Sequence, residues 1–363
     1  MFTHKHYVPI LKAKEGEFKA LQETFAATKD LMTPLFEIVD VAWDYEEDTE
    51  AKTIDAHLNK VGKKILDGWG NERAFFVDSN LIDSNRKMVD GTTHHLIYLF
   101  NDFRSKSLKP IPTTGLSRIA QYKNAVQAIQ AKDKRGVCLR LTSADLANPD
   151  LQLAIDTDLA LYGLTAHEVD LVIDWEGING TNPDVLILPM VTFINTLPYV
   201  MDWRTLTISA SSFPPDLRDI DANTIDSIPR NEWLIWNKVI GARIKRKPSF
   251  GDYSIANPVI ADLDPRLITI SASIRYTCDD DWLIVRGRST KVHGWDQYHN
   301  LCSNLLRQGI PPYCGATYSW GDKYISDCAN PNPTVGTGNA TTWRKVANNH
   351  HFQKVVVQIS SLP

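Results

Sequence analysis

Cysteine is scarce in this chain: five among 363 residues. That low, odd number excludes a disulfide-stapled secreted scaffold and points to reduced thiols in the cytoplasm. Four of the five, Cys278, Cys302, Cys314 and Cys328, fall in the last third of the chain, without the CxxC spacing of a zinc knuckle or ribbon. No apolar run reaches the roughly 18–20 residues that span a bilayer. The opening MFTHKHYVPILKAKEGEF has no apolar stretch followed by a small-residue cleavage site, so no secretory signal is expected. Charge of one sign is also missing. The 39 Lys and Arg against 43 Asp and Glu leave a net charge of −4, which excludes a global pull toward nucleic acid or an anionic membrane but not a local basic patch. P-loop, GxGxxG, HExxH and GxSxG motifs are all absent.

What the chain does have is alternation. Apolar strand-like runs begin near Tyr7, Met32, Arg73, Leu108, Gly136, Val169, Arg204 and Phe250, and each of the first seven is followed by a segment readable as a helix. Parallel strands need a crossover at every step, so eight such units predict a (β/α)8 TIM-like barrel. The expected strands are Tyr7 to Ala13, Thr33 to Val41, Ala74 to Asp78, Lys109 to Thr114, Val137 to Thr142, Val169 to Asp174, Thr205 to Ser211 and Phe250 to Ile255. Pro110 and Pro112 make the fourth the weakest, because proline cannot donate to a ladder. An acidic loop (Trp43 to Glu50) is expected before a second helix that carries Ile54, Leu58, Val61 and Ile65 at helical spacing.

Beyond Asp262 the period changes. Leu267 to Tyr276 and Trp282 to Arg288 read as a β-hairpin, Trp295 to Arg307 as a helix, Gly315 to Gly338 as an extended loop, and Thr341 to Ile359 as helix then strand. The expected organisation is a barrel over 1–262 and a C-terminal hairpin-and-helix extension over 263–363, integrated with the barrel and covering its mouth. His350 and His351 are adjacent, about 100° apart on a helix, so they do not share a metal; one is expected to pack inward.

Residues two apart on a strand share a face. By that parity Lys12 follows Val8 and Ile10, Glu37 follows Leu35, Asp78 follows Phe76, Arg140 follows Cys138 and Asp174 follows Val172. Asp252 and Tyr253 compete for one inward position. Charges at the ends of several strands, where barrel sites cluster, either pair with one another on the rim or serve a ligand. Glu37, Asp78, Asp174 and Asp252 are the candidate catalytic carboxylates. An oxygen-only set suits Mg2+ or Mn2+ rather than zinc. Lys12, Arg140, Tyr253, Arg275, Tyr276 and Arg286 are the candidate ligand-binding residues, since arginine is well suited to phosphate and carboxylate recognition. A retaining glycosidase is disfavoured because the fourth and seventh strands end in Thr113-Thr114 and Ser209-Ala210-Ser211, without carboxylates.

HYVPILKAKEGEFKAL followed by TPLFEIVD resembles the start of the phage and bacterial "beta protein" family. Further matching pieces are Phe250-Gly251-Asp252-Tyr253, Ile274-Arg275-Tyr276-Thr277, Arg286-Gly287, Trp320-Gly321-Asp322 and Trp343-Arg344 with Asn349-His350-His351. The resemblance implies a protein of phage, prophage or mobile-region origin and carries no assigned activity or catalytic residue. The expected function is a polar site at the barrel mouth that binds or hydrolyses a phosphate-bearing ligand, a nucleotide or nucleic acid, with a divalent metal if it is a hydrolase. The alternative is a non-enzymatic protein of phage–host conflict that recognises another protein.

Overall fold

Apolar side chains along the parallel strands fill a closed barrel from within and without. The structure, a computed structural model, describes residues 2–83, 86, 88, 90–259, 270–309, 312–332 and 335–362. In chain order the strands are β1 (Tyr7–Lys12), β2 (Leu35–Glu37), β3 (Trp43–Asp44), β4 (Thr49–Glu50), β5 (Ala74–Asp78), β6 (Lys109–Thr114), β7 (Val137–Thr142), β8 (Val169–Gly177), β9 (Thr205–Ser211), β10 (Ile225–Pro229), β11 (Ser249–Asp252), β12 (Ser271–Thr277) and β13 (Asp281–Ser289). The barrel closes in the order β1-β11-β9-β8-β7-β6-β5-β2, every pair parallel. The chain is therefore a (β/α)8 barrel. Val8, Ile10, Leu35, Phe76, Ile111, Cys138 and Val172 fill the lumen, while the other face of each strand packs into the helical layer. Gly251 leaves little space for a side chain there, since a Cβ would lie 3.0 Å from the Val8 carbonyl oxygen and 3.1 Å from the Ser209 Cβ. The proline-bearing strand forms as expected, and its ladder with β7 is confined to Thr113 and Thr114, beyond both prolines.

Several local expectations change. The second strand is only Leu35–Glu37, and beyond it Asp40 pairs with Arg86. The acidic loop contains the two-residue hairpin β3–β4. The following helix breaks into Ile54–Leu58 and Val61–Trp69. The last barrel strand stops at Asp252, and Ser254 takes a left-handed φ of 55°.

After the barrel, β12 and β13 form the expected antiparallel hairpin, and β10, which was not anticipated, adds to the β13 edge. The hairpin's residues before Ile270, and the boundary placed at Asp262, lie outside the described residues. Gly315 to Gly338 is not a plain loop, for it contains the helix Trp320–Ala329. Ser319 caps that helix by accepting from the Asp322 N–H at 3.1 Å, and Ile325 and Cys328 are buried. Ala340–Ser360 is one helix of 21 residues rather than helix then strand. Its valine run at 355–357 gives up its β preference because Val355 and Val356 pack into the barrel's outer core.

The extension's sheet has two covered faces. Ala272, Ile274, Tyr276 and Val285 meet the helices Gln297–Arg307, Trp320–Ala329 and Ala340–Ser360. On the opposite face Trp282 and Ile284 pack with Phe213 and Ile255 of the barrel segments. The C-terminal helix then locks the two parts together, and both histidines point inward rather than one. His351 sits between Asp252 (Nε2 to Oδ2, 2.9 Å) and the Thr277 hydroxyl (Nδ1 to Oγ1, 2.8 Å). His350 sits between Asp322 (Nδ1 to Oδ2, 2.8 Å) and the Thr277 carbonyl (Nε2 to O, 2.8 Å).

Two expectations follow from this packing. A Cβ at Gly321 would lie 2.4 Å from the Val346 carbonyl oxygen of the C-terminal helix, so Gly321→Ala should destabilise the protein by about 1–3 kcal/mol in urea unfolding. Burial raises the Glu232 carboxyl from 4.5 to about 7, with Arg230 opposing and Asp252 adding to the rise. The folded protein then holds a proton that the unfolded chain releases, so stability should fall as pH rises between about 4.5 and about 7. Urea titrations across that window should show a flatter pH dependence for Glu232→Gln.

Candidate functional site

The strand ends converge on one guanidinium. Arg140, on β7, donates from Nε and Nη2 to Asp174 Oδ2 (2.9 and 2.7 Å) and from Nη1 to Glu37 Oε1 (2.8 Å) and Asp78 Oδ2 (2.9 Å). Its Nη2 also reaches the Tyr253 hydroxyl at 2.7 Å, and that hydroxyl donates to Asp174 Oδ2 at 2.6 Å. Lys12 pairs with Glu37 and donates to the Pro258 carbonyl at 2.9 Å. Arg118, from the loop after β6, closes on Asp78 Oδ2 at 2.8 Å, with the Tyr122 hydroxyl 3.3 Å from Oδ1. Three cations therefore face three carboxylates, all nearly buried.

The electrostatics follow from that balance. Burial alone would push the Asp78 carboxyl up, but Arg118 and Arg140 outweigh it and hold it below the usual carboxylate range. Burial works against the Arg140 charge too, yet the surrounding Tyr253, Asp174, Glu37 and Asp78 raise its pKa well above the ordinary value. Tyr253 is raised far above 10.0, first by burial and then by Asp174 and Glu37, so it stays a neutral donor. Among the described residues no cluster of three His, Cys, Asp or Glu side chains is placed to hold a metal ion. Glu37, Asp78 and Asp174 are all spent on Arg140, and their charge is matched.

The other candidate residues sit elsewhere. Tyr253 takes the inward position, so Asp252 points out of the lumen, where it accepts from the Tyr7 hydroxyl at 2.5 Å and from His351. It belongs to the joint between barrel and extension. Tyr276 lies in the extension's own core, stacked on His350 with centroids 3.8 Å apart and donating to Asp322 Oδ1 at 2.5 Å. Arg286 stands opposite Ser273 in the hairpin and lines neither of the chambers described next.

Arg275 does line an open space. It shares the barrel-facing side of the hairpin with its cross-strand neighbour Ile284, and its guanidinium lies 5.0 Å from the centroid of the Phe213 ring. A cleft of about 500 Å3 opens there between the rim and the C-terminal helix, walled by Lys12, Lys14, Glu17, Phe213, Pro214, Asn257, Arg275 and Arg344 among others. A smaller chamber of about 130 Å3 adjoins it, lined by Ile255, Ile270, Ser271, Ser273, Arg275, Tyr298, Ala340, Trp343 and Arg344. Arg275 and Arg344 belong to both and donate to the same carbonyl, Ile255 O, at 3.3 and 2.9 Å. Burial, with Arg344 adding, lowers Arg275 to about 9, opposed by Tyr298. It remains a cation at neutral pH. Burial likewise lowers the Lys14 amine, Glu17 opposing and Arg344 adding to the effect.

Arg344, Lys14, Glu17, Arg118 and Tyr122 were not among the candidates. Arg344, Lys14 and Glu17 had a signal, since Trp343-Arg344 and HYVPILKAKEGEFKAL are pieces shared with the resembling family. Arg118 and Tyr122 sit in a loop and a helix, where strand parity has no say.

Fold and site together define the class: a (β/α)8 barrel whose strand ends are neutralised internally and whose C-terminal extension builds a basic cleft on the rim. The family model described as Beta protein matches residues 7–357, so the chain belongs to that family. No curated protein matches it.

Removing the hub should cost far more than removing a surface charge. Arg140→Met leaves the buried Asp174 without a cation among the described residues and takes one partner from each of Glu37 and Asp78, and should lower unfolding free energy by about 3–5 kcal/mol. The added change Asp174→Asn should recover part of that loss in the same urea titration.

Proposed function

We propose that the protein binds a phosphate-bearing ligand, of the nucleotide or nucleic-acid class, in the cleft between the barrel rim and the C-terminal helix. One observation carries this reading. Among the described residues, the nearest carboxylate to any of Lys14, Arg275 and Arg344 is Glu17, whose Oε1 is 4.0 Å from Arg344 Nε, while every cation of the barrel mouth is fully paired. Cations that outnumber their close carboxylate partners in a concave, partly dehydrated space favour an anion, and guanidinium pairs match phosphate oxygens geometrically. A volume of about 500 Å3 also falls in the range of small-molecule sites.

The same geometry favours binding over hydrolysis. A general base or a Mg2+ or Mn2+ site built from Glu37, Asp78 and Asp174 would first require Arg140 to leave them. Thermal melts with inorganic phosphate, pyrophosphate, nucleoside phosphates and a short oligonucleotide, each with and without Mg2+, test the reading. A ligand at 100 times its Kd should stabilise the protein by about 2.7 kcal/mol, and Arg275→Ala and Arg344→Ala should abolish the shift. Absence of a shift with every one of these ligands would end it.

A second reading, a phage–host conflict protein acting through a protein partner, is favoured by apolar side chains left in solvent on the outer helices. Leu188 is 72% and Val185 58% exposed on the helix Asp184–Thr196, and Leu153 and Met201 are exposed too. Under that reading Leu188→Glu should abolish activity in cells without lowering the melting temperature, whereas Arg275→Ala should leave it intact.

A further inference from the structure

Resting on the anion-binding reading, we infer that the ligand is a phosphorylated sugar, free or as part of a nucleoside monophosphate. Its phosphate would lie on Arg275 and Arg344 and its hydroxyls on Glu17. The two chambers differ in chemistry. The smaller is lined by both guanidiniums and by Ser271 and Ser273, and holds no carboxylate. At about 130 Å3 it has room for a phosphate group, and it is the smaller of the two by far. The larger chamber is lined by the same two arginines and, beside Arg344, by Glu17, with Glu15 also in its wall.

Glu17 supplies the specificity. It is only 7% exposed, yet no hydrogen bond to its carboxylate is found among the described residues, and its nearest cation is Arg344 at 4.0 Å. Its oxygens face the cleft, so they take their hydrogen bonds from whatever fills it. A ligand can bring either ammonium or hydroxyl groups. Lys14 and Arg344 beside Glu17 make the local potential positive, which repels ammonium and leaves hydroxyls as the fitting donors. The short span from Arg344 to Glu17 requires phosphate and hydroxyls to be a few bonds apart, as on a phosphorylated ring. A phosphate bound without such hydroxyls would leave Glu17 to water.

Calorimetric titration with methyl phosphate, ribose 5-phosphate and adenosine 5′-monophosphate separates the outcomes. Ribose 5-phosphate should bind about tenfold or more tightly than methyl phosphate, the worth of one to two charge-assisted hydrogen bonds. Glu17→Met should erase that advantage while leaving methyl phosphate binding equal or stronger, and Glu17→Gln, an isostere that preserves the fold, should fall between. Tighter binding of the monophosphate than of the sugar phosphate would identify the nucleoside as the natural form, and equal binding the sugar phosphate. Equal affinity of methyl phosphate and ribose 5-phosphate would overturn the sugar inference and leave the anion site standing. No binding of any of the three would overturn both.

Discussion

The structure depends first on the charge of Arg140. A barrel built from inward-facing apolar layers can end in charged residues only if those charges are compensated within the lumen, because water is largely excluded there. Arg140 does this for three strands at once: its planar fork reaches Asp174, Glu37 and Asp78, which lysine's single ammonium could not span in the same geometry. Lys12 and Arg118 complete the neutralisation from opposite sides of the rim. What looks in one dimension like a catalytic set of acids is in three dimensions a stopper that closes the barrel. The open, cation-lined cleft lies to the side, at the seam with the extension.

That seam is held by polar contacts as well as apolar ones. Thr277 serves both histidines of the C-terminal helix, one through its hydroxyl and one through its carbonyl, while Asp252 and Asp322 fix the opposite ring edges. Burial raises and His350 lowers the Asp322 carboxyl, and the net effect keeps it below the ordinary range. Because these buried contacts are directional, they set how the Ala340–Ser360 helix lies on the barrel, and with it where Arg344 stands relative to Arg275. The basic cleft is thus a product of the joint.

Much of the barrel could be read from residue order. Alternation of strand and helix, with parity along each strand, placed Lys12, Glu37, Asp78, Arg140 and Asp174 at the lumen's end, because a strand's period of two is a local property. Local rules failed where packing overrode them. The helix Trp320–Ala329 sits in a Gly/Asn/Pro-rich stretch whose capping serine and close glycine contact matter only once the C-terminal helix is beside it. Strand β10 was missed because its residues are mostly exposed and take their order from the β13 edge.

By itself, then, the sequence determined the barrel and the inward direction of its terminal charges, since both follow from short-range periodicity and the need of parallel strands for crossovers. Only the tertiary structure decided which charges are spent and which are free. Arg140 meets acids 34, 62 and 103 residues away, and Arg275 and Arg344 meet through one carbonyl 20 and 89 residues distant. Pairing across such separations is set by how the helical layer and the extension close over the rim, and no local pattern of residues encodes that distance.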